Sequence, residues 1–245
     1  MSKSAKRKRV RLRAKPFLVI AIVLNVYLGL TRSPLTSLRH IRVEGAKAFD
    51  QARIEADIQA VQGIPCQQVN PRELESAILE LPEARNASLS RNIFGNGLLR
   101  IAYRTPVARI ARSRRLALSD EGVIYAANEL DPNLPVLDLP RGVLEPNLTL
   151  MGSWEPQRIA YIAREARNID VNQQERILIT EPGQVILYIG EGCVILGNCD
   201  NLSLKFQALR DRLTRNRSEL SQIAELDLTL PDRPTIRKKS RGGAS

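Results

Sequence analysis

One histidine, three cysteines and an adjacent pair of acids are the first places to look for chemistry in this 245-residue chain. His40 opens a short alternating stretch, His40-Ile41-Arg42-Val43, next to a polar connector, and a lone histidine there is most often a surface residue. Asp120 and Glu121 resemble paired carboxylates for general acid–base work, but beside Gly122 they read as a solvated turn. There is no metal-ligand cluster, P-loop or G-x-S-x-G. Cys66, Cys193 and Cys199 include no C-x-x-C. The latter two could approach each other in an oxidising compartment, or all three could be small buried hydrophobes; one must stay unpaired within the chain. The expectation is a protein without catalytic residues, metal, cofactor or small-molecule substrate.

What is left is binding chemistry. Arg100, Arg104, Arg109, Arg112, Arg114 and Arg115 could meet an acidic partner or a lipid headgroup, or could line solvated strand edges and a linker. The formal charge of +11 suggests nucleic acid, yet eight cations lie before Pro16 and five more from Arg233 onward, so the other 24 face 26 acids. A near-neutral body with ten dispersed aromatic residues lacks the basic stripe and stacking platforms of a nucleic-acid binder.

These residues must be positioned by elements that the pattern predicts. The stretch from Phe17 to Leu30 (FLVIAIVLNVYLGL) is almost wholly apolar and follows the acid-free basic leader. That pairing predicts a transmembrane helix over residues 16–31 with the leader, 1–15, cytoplasmic and the bulk of the chain periplasmic or otherwise extracytoplasmic. Lys15 and Arg32 would snorkel to offset the short run. A cleaved signal peptide shares these regions but needs a small-residue site, which Thr31-Arg32-Ser33-Pro34-Leu35 does not supply.

After a connector, 32–37, comes a strand at His40–Val43. A helix starts at Asp50 as cap, with Ile54, Ile58 and Val61 on one face. A second helix has Asn70 as N-cap, Pro71 at its first position, Glu73 to close a capping box, and Leu74, Ala77, Ile78 and Leu81 as its apolar stripe. Strands at 84–90 and 98–103 join across Asn96-Gly97. Short strands follow at 116–118, 123–125 and 136–139, then a helix from about Gln157 to Ile169. Trp154, in the irregular stretch before it, would cover an edge of the core. Three strands run over 176–180, 185–189 and 193–196. The helix from Leu202 to about Arg215 puts Leu202, Phe206, Leu209 and Leu213 inward and Lys205, Arg210 and Arg212 outward. The last strands are 223–230 and Thr235–Lys238. Together they should form the outer edge of the β domain, with Pro231 and Pro234 bracketing the turn and Arg237, Lys238 and Lys239 suited to an acidic segment.

Several stretches together resemble the FtsQ/DivIB family of bacterial cell-division proteins. They are the basic leader with its apolar segment; IRVEGAKAF; LPEARNASLSRNIFGNGLLRIAYRTPVARI; LALSDEGVIYAA; and GQVILYIGEGCVILG with the helix and Ile223-Ala224-Glu225-Leu226-Asp227-Leu228 after it. The resemblance covers nearly the whole chain. It implies an α+β fold: one N-terminal transmembrane helix, a POTRA-like β-α-α-β-β domain over 38–106, and a mixed-strand β domain with two packed helices over 107–238. A tail, 239–245, follows. It further implies a noncatalytic scaffold of the division septum, single-pass in the cell inner membrane through residues 16–31. FtsB-like and FtsL-like membrane proteins would be its partners, an FtsB-like strand being received at the last edge. Thr235, Ile236 and Arg237 would be contacts, grouped with Leu228 and with Asp227, which matches the Asp of the family's preceding strand and would be structural. The alternatives are a membrane-surface or nucleic-acid-linked factor acting through its basic ends, or a secreted interaction domain freed by signal-peptide cleavage.

Overall fold

The computed structural model describes residues 14–32, 36–140, 155–169, 175–181, 183–190, 192–215 and 223–238. Trp154, the leader up to residue 13 and the tail 239–245 lie outside the described residues. The chain is α+β and divides into two compact units between Ala102 and Tyr103.

Helix α1 (Ala14–Arg32) contains the apolar run. Among the described residues, no helix is long and apolar enough to cross a membrane. This corrects the expected transmembrane helix and, with it, the single-pass inner-membrane placement of the chain. The reason is length: fourteen apolar-run residues rise about 21 Å in a helix, against about 30 Å of hydrocarbon. Snorkelling cations extend the reach of the flanks but not the apolar length itself. Asn25 also interrupts the run, its side-chain amide donating to the Ala21 carbonyl (2.9 Å).

In the first unit, β1 (His40–Glu44), α2 (Gln51–Val61), α3 (Pro71–Leu79), β2 (Ala84–Arg91) and β3 (Asn96–Tyr103) follow in order. The sheet order is β1-β3-β2, with β1 parallel to β3. Asn70 caps α3 by accepting from the Arg72 N–H (3.2 Å), and Pro71 takes the first helical position. Glu73 accepts from the Asn70 side-chain amide (3.0 Å), a side-chain contact in place of the expected bond to the Asn70 backbone N–H. Asp50, by contrast, makes no cap bond: a 3-10 turn, Ala48–Asp50, runs straight into α2 and holds Asp50 in helical geometry. The apolar stripes work as their spacing requires. Ile54, Ile58, Leu74 and Ile78 are buried with Leu89, Leu99 and Ile101 from the strands.

The hairpin turn falls three residues earlier than the Asn-Gly signal suggests. Asn92 Oδ1 accepts from the N–H groups of Phe94 (3.0 Å) and Asn96 (3.1 Å), and Gly95 adopts φ +83°. The turn is therefore Asn92 to Gly95, an Asx turn closed by a left-handed glycine, and Asn96-Gly97 already belongs to β3. Beyond the turn, the β2 edge is partly closed from within, because Glu75 on α3 accepts the Leu89 N–H (2.8 Å).

The second unit contains β4 (Pro106–Ile110), β5 (Leu116–Ser119), β6 (Ile124–Ala126), β7 (Val136–Asp138), α4 (Pro156–Arg167), β8 (Arg176–Ile179), β9 (Val185–Ile189), β10 (Gly192–Gly197), α5 (Leu202–Arg215), β11 (Ile223–Asp227) and β12 (Thr235–Lys238). Among the described residues these strands form one mixed sheet, ordered β12-β11-β10-β9-β8-β7-β4-β5-β6. Strand β4 lies inside this sheet, between β5 and β7, where the sequence pattern predicts no strand. Its proline sits at the first strand position, which costs no interior ladder bond.

Helices α4 and α5 supply the other half of the core. Ile159, Ile162, Ala163 and Ala166 of α4 and Phe206 and Leu209 of α5 are buried with Leu137, Ile177, Leu187 and Val194 of the strands. Tyr161 meets Phe206 edge-on at 6.1 Å between ring centres, and Arg210 reaches Glu165 at 3.0 Å.

Replacing Ile78 by Asp should collapse the first unit. The side chain has no solvent exposure, so the change removes a packed aliphatic group and buries a carboxylate, together about 4 kcal/mol or more. Urea unfolding should show a large fall in midpoint; an unchanged midpoint would mean that Ile78 does not pack in this core.

Candidate functional site

Strand β12 stands at one end of the large sheet, with β11 as its ladder partner. Register gives this hairpin its chemistry. Leu187 of β9, Val194 of β10, Leu226 of β11 and Ile236 of β12 are directly opposite one another in succession, and so share one face of the sheet. The first three are fully buried, whereas Ile236 is 39% exposed. The apolar row thus extends past the edge of the core that covers it. On the other face, Tyr188, Cys193, Glu225 and Arg237 form the neighbouring row, which places the Arg237 cation beside a carboxylate position. Thr235 and Arg237 are exposed.

Asp227 and Leu228 do a different job. Asp227 lies opposite Thr235, and its Oδ1 accepts the Thr229 N–H (2.8 Å), bending the chain out of β11. Leu228 is buried, and its N–H donates to the Ile195 carbonyl (2.8 Å), prolonging the β10 ladder by one step. Gly197 (φ +66°) lets this turn approach: a Cβ there would stand 3.0 Å from the Thr229 side chain. Of the five residues singled out from sequence, the structure gathers Thr235, Ile236 and Arg237 on the exposed strand and puts Asp227 and Leu228 at the turn that positions it.

The residue that sequence reasoning misplaced is Lys205. It points inward, almost fully buried, rather than toward solvent. Its ammonium donates to the Asn198 carbonyl (2.9 Å) and to Asn198 Oδ1 (3.1 Å), holding the corner where β10 turns into α5. Asn201 takes a left-handed φ of 51° in that corner. Burial pulls the Lys205 pKa below its ordinary value, and the negative charges of Asp200, Cys199 (when ionised) and Asp227 oppose the shift. The signal was available: Lys205 is three residues after Leu202 and four before Leu209, within the buried stripe of α5.

The remaining candidates disperse. Glu121 pairs with Arg104 (3.3 Å), and the Gly122 backbone, at φ +87°, lies so close to Pro156 that a Cβ would clash. Arg100 pairs with Glu44 (3.2 Å), while Arg112 (3.9 Å) and Arg176 (2.5 Å) share Asp138. Arg100, Arg104 and Arg112 are therefore split among three separate carboxylates. All three cysteines are free thiols. Burial raises the pKa of Cys193, with Glu225 adding to it, and burial likewise raises that of Cys199. His40 is exposed at the start of β1. Among the described residues, no group of three or more His, Cys, Asp or Glu is placed to hold a metal ion. No family model matches the chain, and no curated protein matches it.

Lys205→Met keeps the aliphatic stem but leaves the Asn198 oxygens without their donor, which should cost about 1–3 kcal/mol at neutral pH. The pH dependence has a definite sign. The folded pKa of Lys205 lies below the unfolded value near 10.5, so between the two the unfolded chain binds the extra proton and stability rises with pH. The advantage of the parent over Lys205→Met in urea midpoint should therefore be flat near neutrality and widen toward pH 10.5. A gap that narrows over that window would contradict a buried ammonium.

Proposed function

We propose that this chain is a noncatalytic binding scaffold that takes up an extended segment of another protein by strand addition at β12. The carrying observation is the row Leu187, Val194, Leu226, Ile236, whose buried members end in a half-exposed isoleucine on the terminal strand. An added strand would continue the ladder with main-chain hydrogen bonds and place an apolar side chain beside Ile236. Arg237, in the adjacent row, favours an acidic residue on the incoming strand. Thr235, Ile236 and Arg237 are the contacts; Asp227 and Leu228 shape the turn that presents them.

The sequence resemblance to FtsQ/DivIB proteins supports a specific setting for this activity, the bacterial division septum, with FtsB-like and FtsL-like proteins as partners. The two-unit α+β architecture is compatible with that setting. The binding mechanism rests on the β12 geometry.

Two substitutions test it. Ile236→Pro disturbs the backbone of the edge strand, and Ile236→Lys keeps the backbone but removes the apolar neighbour. Each should weaken binding of an FtsB-like partner by about tenfold or more, the equivalent of a lost hydrogen bond with its register or of one apolar contact. Circular dichroism should show the fold retained. Binding of unchanged affinity by folded Ile236→Lys and Ile236→Pro would rule out strand addition at this edge.

A further inference from the structure

One end of the first unit differs from the rest of its surface. Three segments meet there, residues 36–41, 62–69 and 90–98. The Leu38 N–H donates to the Ile64 carbonyl (2.9 Å), the Cys66 N–H to the Thr36 carbonyl (2.9 Å), and the Arg39 N–H to the Gly95 carbonyl (2.8 Å). Arg91 Nε donates to the Cys66 carbonyl. Between them the segments carry Arg39, His40 and Arg91 and no Asp or Glu. Ile64, Ile93 and Phe94 are exposed on this acid-free end, Phe94 to 77%, the highest value for any large apolar side chain among the described residues.

Phe94 is held out by construction. The Asn92 side chain accepts from the N–H groups on either side of Gly95, those of Phe94 and Asn96. A Cβ at Gly95 would come within 2.4 Å of the Ser37 carbonyl oxygen, so the turn is seated against the chain that follows α1. Two neighbouring large apolar residues fixed in water at a rigid turn mark a surface that meets something apolar.

The chain itself indicates what that is. Four peptide steps separate Arg32, the last residue of α1, from Thr36, so their Cα atoms are at most about 15 Å apart. The described side chains of α1 from Phe17 to Leu24 are exposed in succession, without a polar face. A groove on a protein takes a helix by one stripe, whereas an apolar surface all round suits lipid. Eight cations and no acid precede the apolar run in sequence, which favours an anionic surface. We infer that the Ile93–Phe94 turn, with Ile64 beside it, inserts shallowly into one leaflet of an anionic lipid bilayer that also takes up α1, with Arg39 and Arg91 supplying positive charge at the headgroups. The chain then lies on that leaflet; α1 does not cross it.

The test uses the full chain and vesicles of phosphatidylcholine with or without phosphatidylglycerol. Phe94→Trp adds an emitter at the tip, and the difference from the parent, which already carries Trp154, isolates its emission. With brominated acyl chains that difference should be quenched roughly twofold or more if the ring enters the leaflet. The double variant Ile93→Ser with Phe94→Ser should lower partitioning onto anionic vesicles about tenfold and leave the urea midpoint unchanged. Three results would each overturn the inference: tip emission unquenched while the chain is vesicle-bound, partitioning unaffected by the double variant, or no preference for vesicles containing phosphatidylglycerol.

Discussion

A sheet that ends leaves a row of backbone N–H and C=O groups facing outward, and those groups must bond to water, to the protein's own side chains, or to another strand. Much of this molecule is organised by how it treats such rows. In the first unit the Glu75 carboxylate takes the Leu89 N–H, so α3 both packs on β2 and closes part of its edge. In the second unit β12 ends the sheet with three exposed residues, one of them the terminal member of an otherwise buried apolar row. The contrast is between an edge that a carboxylate blunts and an edge whose side chains are left ready for a neighbour.

The β12 edge depends on groups set well behind it. The ladder from β9 to β11 can run to Leu228 because Gly197 leaves room for Thr229 and because the corner between β10 and α5 is tied by the Lys205 ammonium. A buried ammonium is costly unless its donors are used. Here two of them are spent on Asn198, the residue that begins the corner, with the charges of Asp200 and Asp227 offsetting part of the desolvation. Position and electrostatics therefore converge: the residue that fixes the corner also feels Asp227, the residue that starts the turn into β12.

Elements with strong local chemistry were legible, because their signals act within a few residues. Asn70-Pro71 followed by Glu73 starts α3 where the pattern places it, and Ile54, Ile58, Leu74 and Ile78 face the core. Misreadings arose where two local signals competed or where length mattered more than composition. Asn96-Gly97 is a favoured turn pair, but Asn92 and Gly95 close a turn three residues apart and so win the hairpin. Lys205 reads as surface by residue type, yet its position in the helical stripe and the open carbonyl of Asn198 draw it inside. In α1 the charge asymmetry pointed to a span, while the apolar run is too short to provide one.

By itself the sequence determined most of the local elements, β4 and the hairpin turn at Asn92 excepted, together with the break in rhythm near Thr105-Pro106 and the placement of charge at the two ends, since these follow from side-chain type and spacing along the chain. It also marked Thr235, Ile236 and Arg237 as a short stretch after the last turn. Only the tertiary structure decided that β4 lies between β5 and β7, that β11 runs parallel to β10, and that Leu187, Val194, Leu226 and Ile236 form one row. Strand order and register are set by contacts between residues far apart in the chain, which no local pattern encodes, and whether an edge is covered is a property of the assembled sheet.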